Sequence, residues 1–349
     1  MNLQSVQRYD QYDMYSLLRN FPRQVEDAVR IGKQCRIPFK RTGIASLVVT
    51  GLGGSAIGGD LLRSYVHDEL EIPFIVNRNY TLPEFVDHRT LVIVSSYSGN
   101  TEETVAAHAE ARKRKAKIIC ITSNGETAKM ALKYNQPLIT IPRGLPPRTA
   151  LGYSFFPLLE VLSKLGFISR KNKDIRETVG LLKKKSGMYS VVSGRNPAVE
   201  LAKQLYTKCP IIYSGADKFD VVNLRWRGQI AENAKSLAYG HVIPEMNHNE
   251  LVGWKVLRRM MEEDFAVVLL RDGHDHPRVK VRMEITKSIV EQYASRVIEV
   301  KSEGKSLLAR MFSLIYLGDW MSFYLAILNG IDPTPVRVID YLKSELAKL

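Results

Sequence analysis

Cysteine is scarce in this chain, with only Cys35, Cys120 and Cys209 among 349 residues. Three is an odd number and the spacings are too wide for metal-ligand pairs, so neither a disulfide framework nor a zinc centre is expected. Free thiols of a reducing cytoplasm fit better. An export signal is also missing, because Met1 to Asn20 is polar and aromatic and lacks a basic start with a continuous apolar core. Even the apolar stretch Leu307 to Leu328 is interrupted by Arg310, Gly318 and Asp319. A central Asp costs roughly 2.5–3.5 kcal/mol in a bilayer, so that stretch reads as a buried core or subunit-interface helix and no membrane is expected. Acidic residues are outnumbered, 36 against 50 basic, for a net charge of +14. A nucleic-acid track would interleave basic and aromatic residues. The densest basic runs, Arg112 to Lys117 and Lys171 to Lys185, lie in helical or linker-like segments without aromatics, so they read as solvated helix faces. Attraction for a small anion remains.

The rest of the composition, 45% hydrophobic and 25% charged, is that of a globular chain long enough for two domains of about 150 residues. The organising stretch is Leu91 to Val105, LVIVSSYSGNTEETV. Leu91 to Val94 has the length and β-branching of a buried parallel strand. A helix is expected from Asn100, with Glu103 completing an N-capping box. Its free N–H groups attract an anion, and Ser96, Ser98, Thr101 and Thr104 add hydroxyls at spacings that can converge on one phosphate.

Upstream, residues 1–45 read as helical packing. The strand Leu47 to Thr50 then feeds the glycine-rich turn Gly51 to Asp60 and a helix from Asp60 to His67. Gly51, Gly53 and Ala56 satisfy the loose dinucleotide pattern, which would call for hydride transfer. That reading wants an acidic residue after the second strand, where Asn77 and Arg78 stand instead. The alternative use of the glycines is close approach of backbone and Ser55 to a sugar. Strands and helices alternate to Ile141, which predicts an α/β fold with a parallel sheet, helices on both faces and both turns at the carboxyl ends of the strands. Arg148 follows a double proline and has little freedom, which makes it the candidate cation.

The rhythm begins again after a basic segment from Ile168 to Lys185. Strands are expected at 211–214, 265–270 and 297–300, with a long helix from Val221 to Leu237, and a crevice between two such halves is a usual place for a small ligand. Glu232 lies in that helix, where a desolvated carboxylate can act as a base. His248 follows 16 residues later in a loop, with Asn247, Asn249 and Glu250 available to orient it. The last helix carries Lys343.

The set GLGGSAIGGD, SSYSGNTEET, PRTALGY, AENAK, EMNHNELVGW and DPTPVRVIDYLK, in that order, resembles the bifunctional phosphoglucose/phosphomannose isomerases of the phosphoglucose isomerase superfamily. The resemblance implies two sugar-isomerase-type α-β-α sandwich domains, taken here as residues 1–167 and 168–349, with the C-terminal helix returning to the active site. It implies metal-independent chemistry without a cofactor on a phosphosugar substrate, and a cytoplasmic homodimer. Gly54, Ser55, Ser96, Ser98 and Thr101 would hold the substrate, the last three at its phosphate. Arg148 would stabilise an enediolate, and Glu232 would move a proton between carbons 1 and 2. His248 of a partner subunit and Lys343 would assist ring opening. A phosphosugar sensor built from the same domain is the alternative. Such regulators usually add a DNA-binding module and can lose the catalytic residues, whereas Glu232 and His248 are present here. An aminotransferase forming glucosamine 6-phosphate would need an N-terminal cysteine domain, which the sequence does not contain.

Overall fold

The computed structural model describes residues 3–192, 194–346 and 348. Three helices come first: α1 (Leu3–Tyr9), α2 (Met14–Arg19) and α3 (Phe21–Gln34). An alternating segment follows, β1 (Ser46–Thr50), α4 (Gly53–Val66), β2 (Phe74–Asn77), β3 (Thr90–Ser96), α5 (Glu102–Lys113), β4 (Lys117–Thr122), α6 (Gly125–Lys133) and β5 (Leu138–Thr140). Helices α7 (Leu151–Leu165), α8 (Asn172–Tyr189) and α9 (Pro197–Leu205) lead to a second alternation. It comprises β6 (Cys209–Gly215), α10 (Asp220–Ala234), β7 (Tyr239–Ile243), α11 (Arg258–Asp264), β8 (Phe265–Arg271), α12 (Pro277–Val290) and β9 (Arg296–Lys301). Helices α13 (Leu307–Leu328) and α14 (Arg337–Leu346) follow.

The chain divides into two compact units. One is Asn20–Val179; the other joins the segment up to Arg19 to the segment from Gly180 onward. The boundary thus falls after residue 179, inside α8, and not after residue 167. A helix is continuous in hydrogen bonding, so composition alone does not mark where its packing partners change. The opening segment belongs with the later unit for a visible reason. The Tyr316 hydroxyl donates to the Leu18 carbonyl at 2.8 Å, and the Tyr15 ring meets Trp320 edge-on at 5.4 Å.

In the unit 20–179 the sheet is wholly parallel, with order β2-β1-β3-β4-β5. All seven residues of β3 are buried, as a strand covered on both faces requires. Alternation sorts the side chains. Val48, Val92, Val94 and Cys120 point into the core shared with Ala107 and Ala111 of α5 and Ala131 of α6. The opposite face meets α4, where Gly59 lies so near Val49 that a methyl group would stand 2.9 Å from its Cγ1. The connections leave β1 in one direction and β3 in the other, so the topological switch point lies between these two neighbours.

The other unit repeats the first four positions of that order as β7-β6-β8-β9, again all parallel. Ile211, Tyr213, Val267 and Leu269 face α12 and the segment containing Met246, Trp254 and Met261. Ile212 and Ser214 face α10, whose Asn223 amide donates to the Ile212 and His241 carbonyls. Behind α10 packs α13, and nearly all of its 22 residues are buried, in agreement with a core helix. Its Asp319 accepts two bonds from the Arg225 guanidinium, at 3.1 and 2.8 Å, and one from Gln229 at 2.9 Å. One turn further on, Asn233 donates to Ser322 at 3.0 Å.

Breaking a buried pair on one side leaves a charge without compensation. Arg225→Ala is expected to lower the unfolding free energy by about 3–5 kcal/mol in urea titrations, and Arg225→Met combined with Asp319→Leu to recover most of it.

Candidate active site

At the switch point two helix N-termini stand side by side. The glycine run does not precede its helix, as expected from the sequence, but forms its first turns, since α4 begins at Gly53. Gly54 therefore sits where backbone N–H groups lack helical partners, whereas the Ser55 N–H already donates to the Leu52 carbonyl at 3.1 Å. Helix α5 begins at Glu102 with Thr101 as N-cap and no side-chain capping bond. The expected capping box from Asn100 does not form, because the Asn100 side-chain oxygen Oδ1 instead receives the Glu126 N–H at 2.9 Å, in the first turn of α6. The substitution is tertiary and was invisible locally.

The hydroxyls of this corner are held as acceptors. Ser55 Oγ receives the Tyr97 N–H at 3.2 Å, and Ser98 Oγ the Asn100 N–H at 3.2 Å. Ser96, almost fully buried, receives the Gly99 N–H at 3.1 Å and donates to Thr101 Oγ1 at 3.2 Å. Among the described residues none of Ser55, Ser98 and Thr101 donates its proton to a protein acceptor. Three O–H donors thus remain for a ligand beside two helix N-termini, which is anion-receiving chemistry.

Arg148 lies in the short 3-10 turn Pro147–Thr149 and is buried. Its loop is clamped from two sides. The Tyr97 hydroxyl donates to the Pro142 carbonyl and accepts the Leu145 N–H, both at 2.9 Å. Burial raises the Tyr97 phenol above its ordinary pKa, so the donor stays protonated. On the other side Gln24 donates to the Thr149 carbonyl at 2.9 Å and accepts from the Gly152 N–H at 2.8 Å. A Cβ at Gly54 would stand 2.6 Å from the Pro147 carbonyl oxygen, so the glycine turn and the arginine loop are in direct contact. Sequence reasoning brought these residues to one crevice but missed Tyr97 and Gln24. Tyr97 had a signal, an aromatic between two serines of the hydroxyl-rich turn. Arg78, which a dinucleotide reading would need, is paired with the buried Asp60.

The remaining candidates are not gathered together. Glu232 occupies the last turn of α10, which ends at Ala234, earlier than expected, because Lys235 turns left-handed at φ 53°. Lys235 Nζ donates to the carbonyls of Glu232 and Pro333, at 2.5 and 3.0 Å, and Asn329 donates to that of Ala234 at 3.0 Å. A cavity of about 580 Å³ opens beside it, lined by Glu232, Lys235, Leu237, Ile331, Pro335 and Val338. His248 is exposed and follows β7 in the segment that covers the other face of the sheet. Lys343 is exposed on α14, which has no buried residue. That helix reaches the cavity through Arg337, Val338 and Ile339.

Residues 44–133 match the model of the SIS domain, and residues 194–346 that of the bacterial phospho-glucose isomerase C-terminal SIS domain. A bifunctional phosphoglucose/phosphomannose isomerase of Caldicellulosiruptor bescii is 48% identical over 338 residues, which cover 96% of this chain and 99% of that protein. The chain belongs to this isomerase family. A namesake from Aquifex aeolicus is 39% identical over 308 residues, 88% of this chain and 92% of its own. Among solved structures, a hypothetical protein of Thermus thermophilus has the same fold, with a TM-score of 0.75 at 14% identity over 99% of this chain and 92% of its own. The α/β architecture of paired parallel sheets is thus that of the family.

Gly54→Ala would push the arginine loop away from the hydroxyl corner. It is expected to lower kcat/KM for phosphosugar turnover by about a hundredfold without changing the far-ultraviolet circular dichroism. Tyr97→Phe, which removes one oxygen and two hydrogen bonds, is expected to destabilise the fold by about 1–3 kcal/mol in the same urea titration.

Proposed function

We propose that the protein interconverts glucose 6-phosphate and mannose 6-phosphate with fructose 6-phosphate through a shared enediol(ate), without a metal ion or cofactor, in the cytoplasm. The observation that carries this reading is the corner at the β1–β3 switch point, where Ser55, Ser98 and Thr101 keep O–H donors for an anion beside two helix N-termini. Gly54, Ser55, Ser96, Ser98 and Thr101 hold the phosphosugar, with Ser96, Ser98 and Thr101 at the phosphate. Arg148 supplies positive charge where the enediolate develops.

Glu232 is the base. Removing the carbon 2 proton erases the one difference between the two aldoses, and the carboxylate returns the proton at carbon 1. His248 and Lys343 handle protons at the ring oxygen during opening. The layering of the second sheet supports a homodimer in which the partner supplies the histidine. Glu232 belongs to the helix on one face, and His248 to the segment on the other. Near His248, Val252 is 83% exposed and Val256 73%, with Leu257 and Met260 beside them, apolar surface that a second subunit would cover.

The test is a coupled assay with EDTA present, following fructose 6-phosphate formed from each aldose. Both are expected to turn over, with a loss of about 10²–10⁴-fold in Glu232→Gln. Tight phosphosugar binding with no turnover would instead make the protein a sensor. Mixing His248→Ala with Glu232→Gln, each inactive alone, is expected to restore about a quarter of the activity. Random pairing makes half of the dimers mixed, and each mixed dimer holds one intact site. No recovery would place the histidine in its own subunit's site.

A further inference from the structure

His248 is exposed, and among the described residues its imidazole has no hydrogen-bond partner. Its position is therefore set by the backbone that carries it. On its N-terminal side the Asn247 side-chain amide donates to Thr286 Oγ1 of α12 at 2.8 Å, and Arg282 donates to Asn247 Oδ1 at 3.4 Å. On its C-terminal side Asn249 accepts the Glu250 N–H at 2.5 Å and donates to Glu245 at 3.0 Å, closing the segment on itself. The tie to the sheet is made by Glu250. Its carboxylate receives the hydroxyl proton of Tyr213, and Tyr213 in turn accepts the Trp254 indole N–H at 3.0 Å.

Tyr213 is fully buried on β6, so its oxygen must find partners or leave a polar group stranded in the core. Both of those partners lie on the loop. The Trp254 ring, 6.1 Å from that of Phe265 and nearly perpendicular to it, seats the far end of the loop at the start of β8. Packing alone would be met by phenylalanine at 213. What the oxygen adds is a fixed register between the strand and the residues flanking His248.

We propose that Tyr213 and Glu250, held by Trp254, are positioning residues for the isomerisation, acting through the placement of His248. This rests on the assignment of His248 to proton handling in the proposed reaction. A side chain that must reach a sugar's ring oxygen tolerates little displacement, and misplacement by about 1 Å can cost a hundredfold in rate. The segment's own hydrogen bonds fix its shape, and the bonds of the Tyr213 hydroxyl to Glu250 and from Trp254 fix where that shape sits on β6.

The experiment compares full-length Tyr213→Phe, Glu250→Ala, Glu250→Gln, His248→Ala and the double variant His248→Ala/Glu250→Ala, recording kcat, KM for glucose 6-phosphate and thermal unfolding. Tyr213→Phe and Glu250→Ala are expected to lower kcat about ten- to hundredfold with KM little changed. Glu250→Gln, whose amide oxygen still accepts the tyrosine proton, should restore most of the rate. In the His248→Ala background, Glu250→Ala should cost nothing further. Losses that multiply in the double variant, or an equal loss in Glu250→Gln and Glu250→Ala, would overturn the positioning role and leave the function of His248 standing. Full activity of His248→Ala would overturn both. Glu250 is only half buried, so its variants decide the matter even if Tyr213→Phe folds poorly.

Discussion

Backbone meets backbone at the first switch point more closely than a side chain allows. A methyl group on Gly54 would stand 2.6 Å from the Pro147 carbonyl oxygen, and one on Gly99 would stand 1.7 Å from that of Asn124. This proximity follows from topology. Parallel strands all end at the same edge of the sheet, so the turn after β1 meets the loop after β5, and the turn after β3 meets the one after β4. Because Ser55 and Ser98 accept protein N–H groups and Thr101 accepts the Ser96 hydroxyl, the hydroxyl protons of Ser55, Ser98 and Thr101 remain for whatever arrives. Two helix N-termini bring their dipoles to the corner, and Arg148, buried and held by its loop, adds a cation in the turn that touches Gly54.

Much of this was legible in the sequence, and the reasons differ by element. The apolar run from Leu91 to Val94 could only be a strand covered on both faces, and β3 is that strand. The six quoted motifs pointed to the family, and the family is the one found. That the first sheet is parallel followed less directly, from the alternation of strand and helix, and its strand order came from the structure. What escaped was set by tertiary contacts. Strand β7 is five residues of half-exposed edge containing a glycine, too weak a pattern to notice. The Asn100 side chain is a good helix cap by local rules, but the first turn of α6 claims it. Lys235 ends α10 in a conformation that lysine seldom adopts, stabilised by its own ammonium reaching two carbonyls.

Helix α13 shows how a polar minority gives direction to an apolar element. It is hydrophobic on every side, and such a helix could slide or rotate against α10 with little penalty. Asp319 and Ser322, three residues apart, meet Arg225, Gln229 and Asn233, which are spaced four apart along α10. This pattern matches in a single register. A shift by one turn would leave a carboxylate and a guanidinium buried apart, at a cost of several kcal/mol. The ladder ends beside Glu232, so the same contacts that align two helices also fix the carboxylate's place along its axis.

The pairing of the opening helices with α13 orders the chain's assembly in time. Residues 20–179 contain every strand and helix of their own sheet and can pack as soon as they leave the ribosome, since domains fold as units during synthesis. The segment before them cannot. Met14 and Leu18 are buried in the finished protein, and the helix that hydrogen-bonds to this segment is made some three hundred residues later. Until then these helices wait with their apolar side uncovered, and residues translated before the first sheet are among the last to find their place.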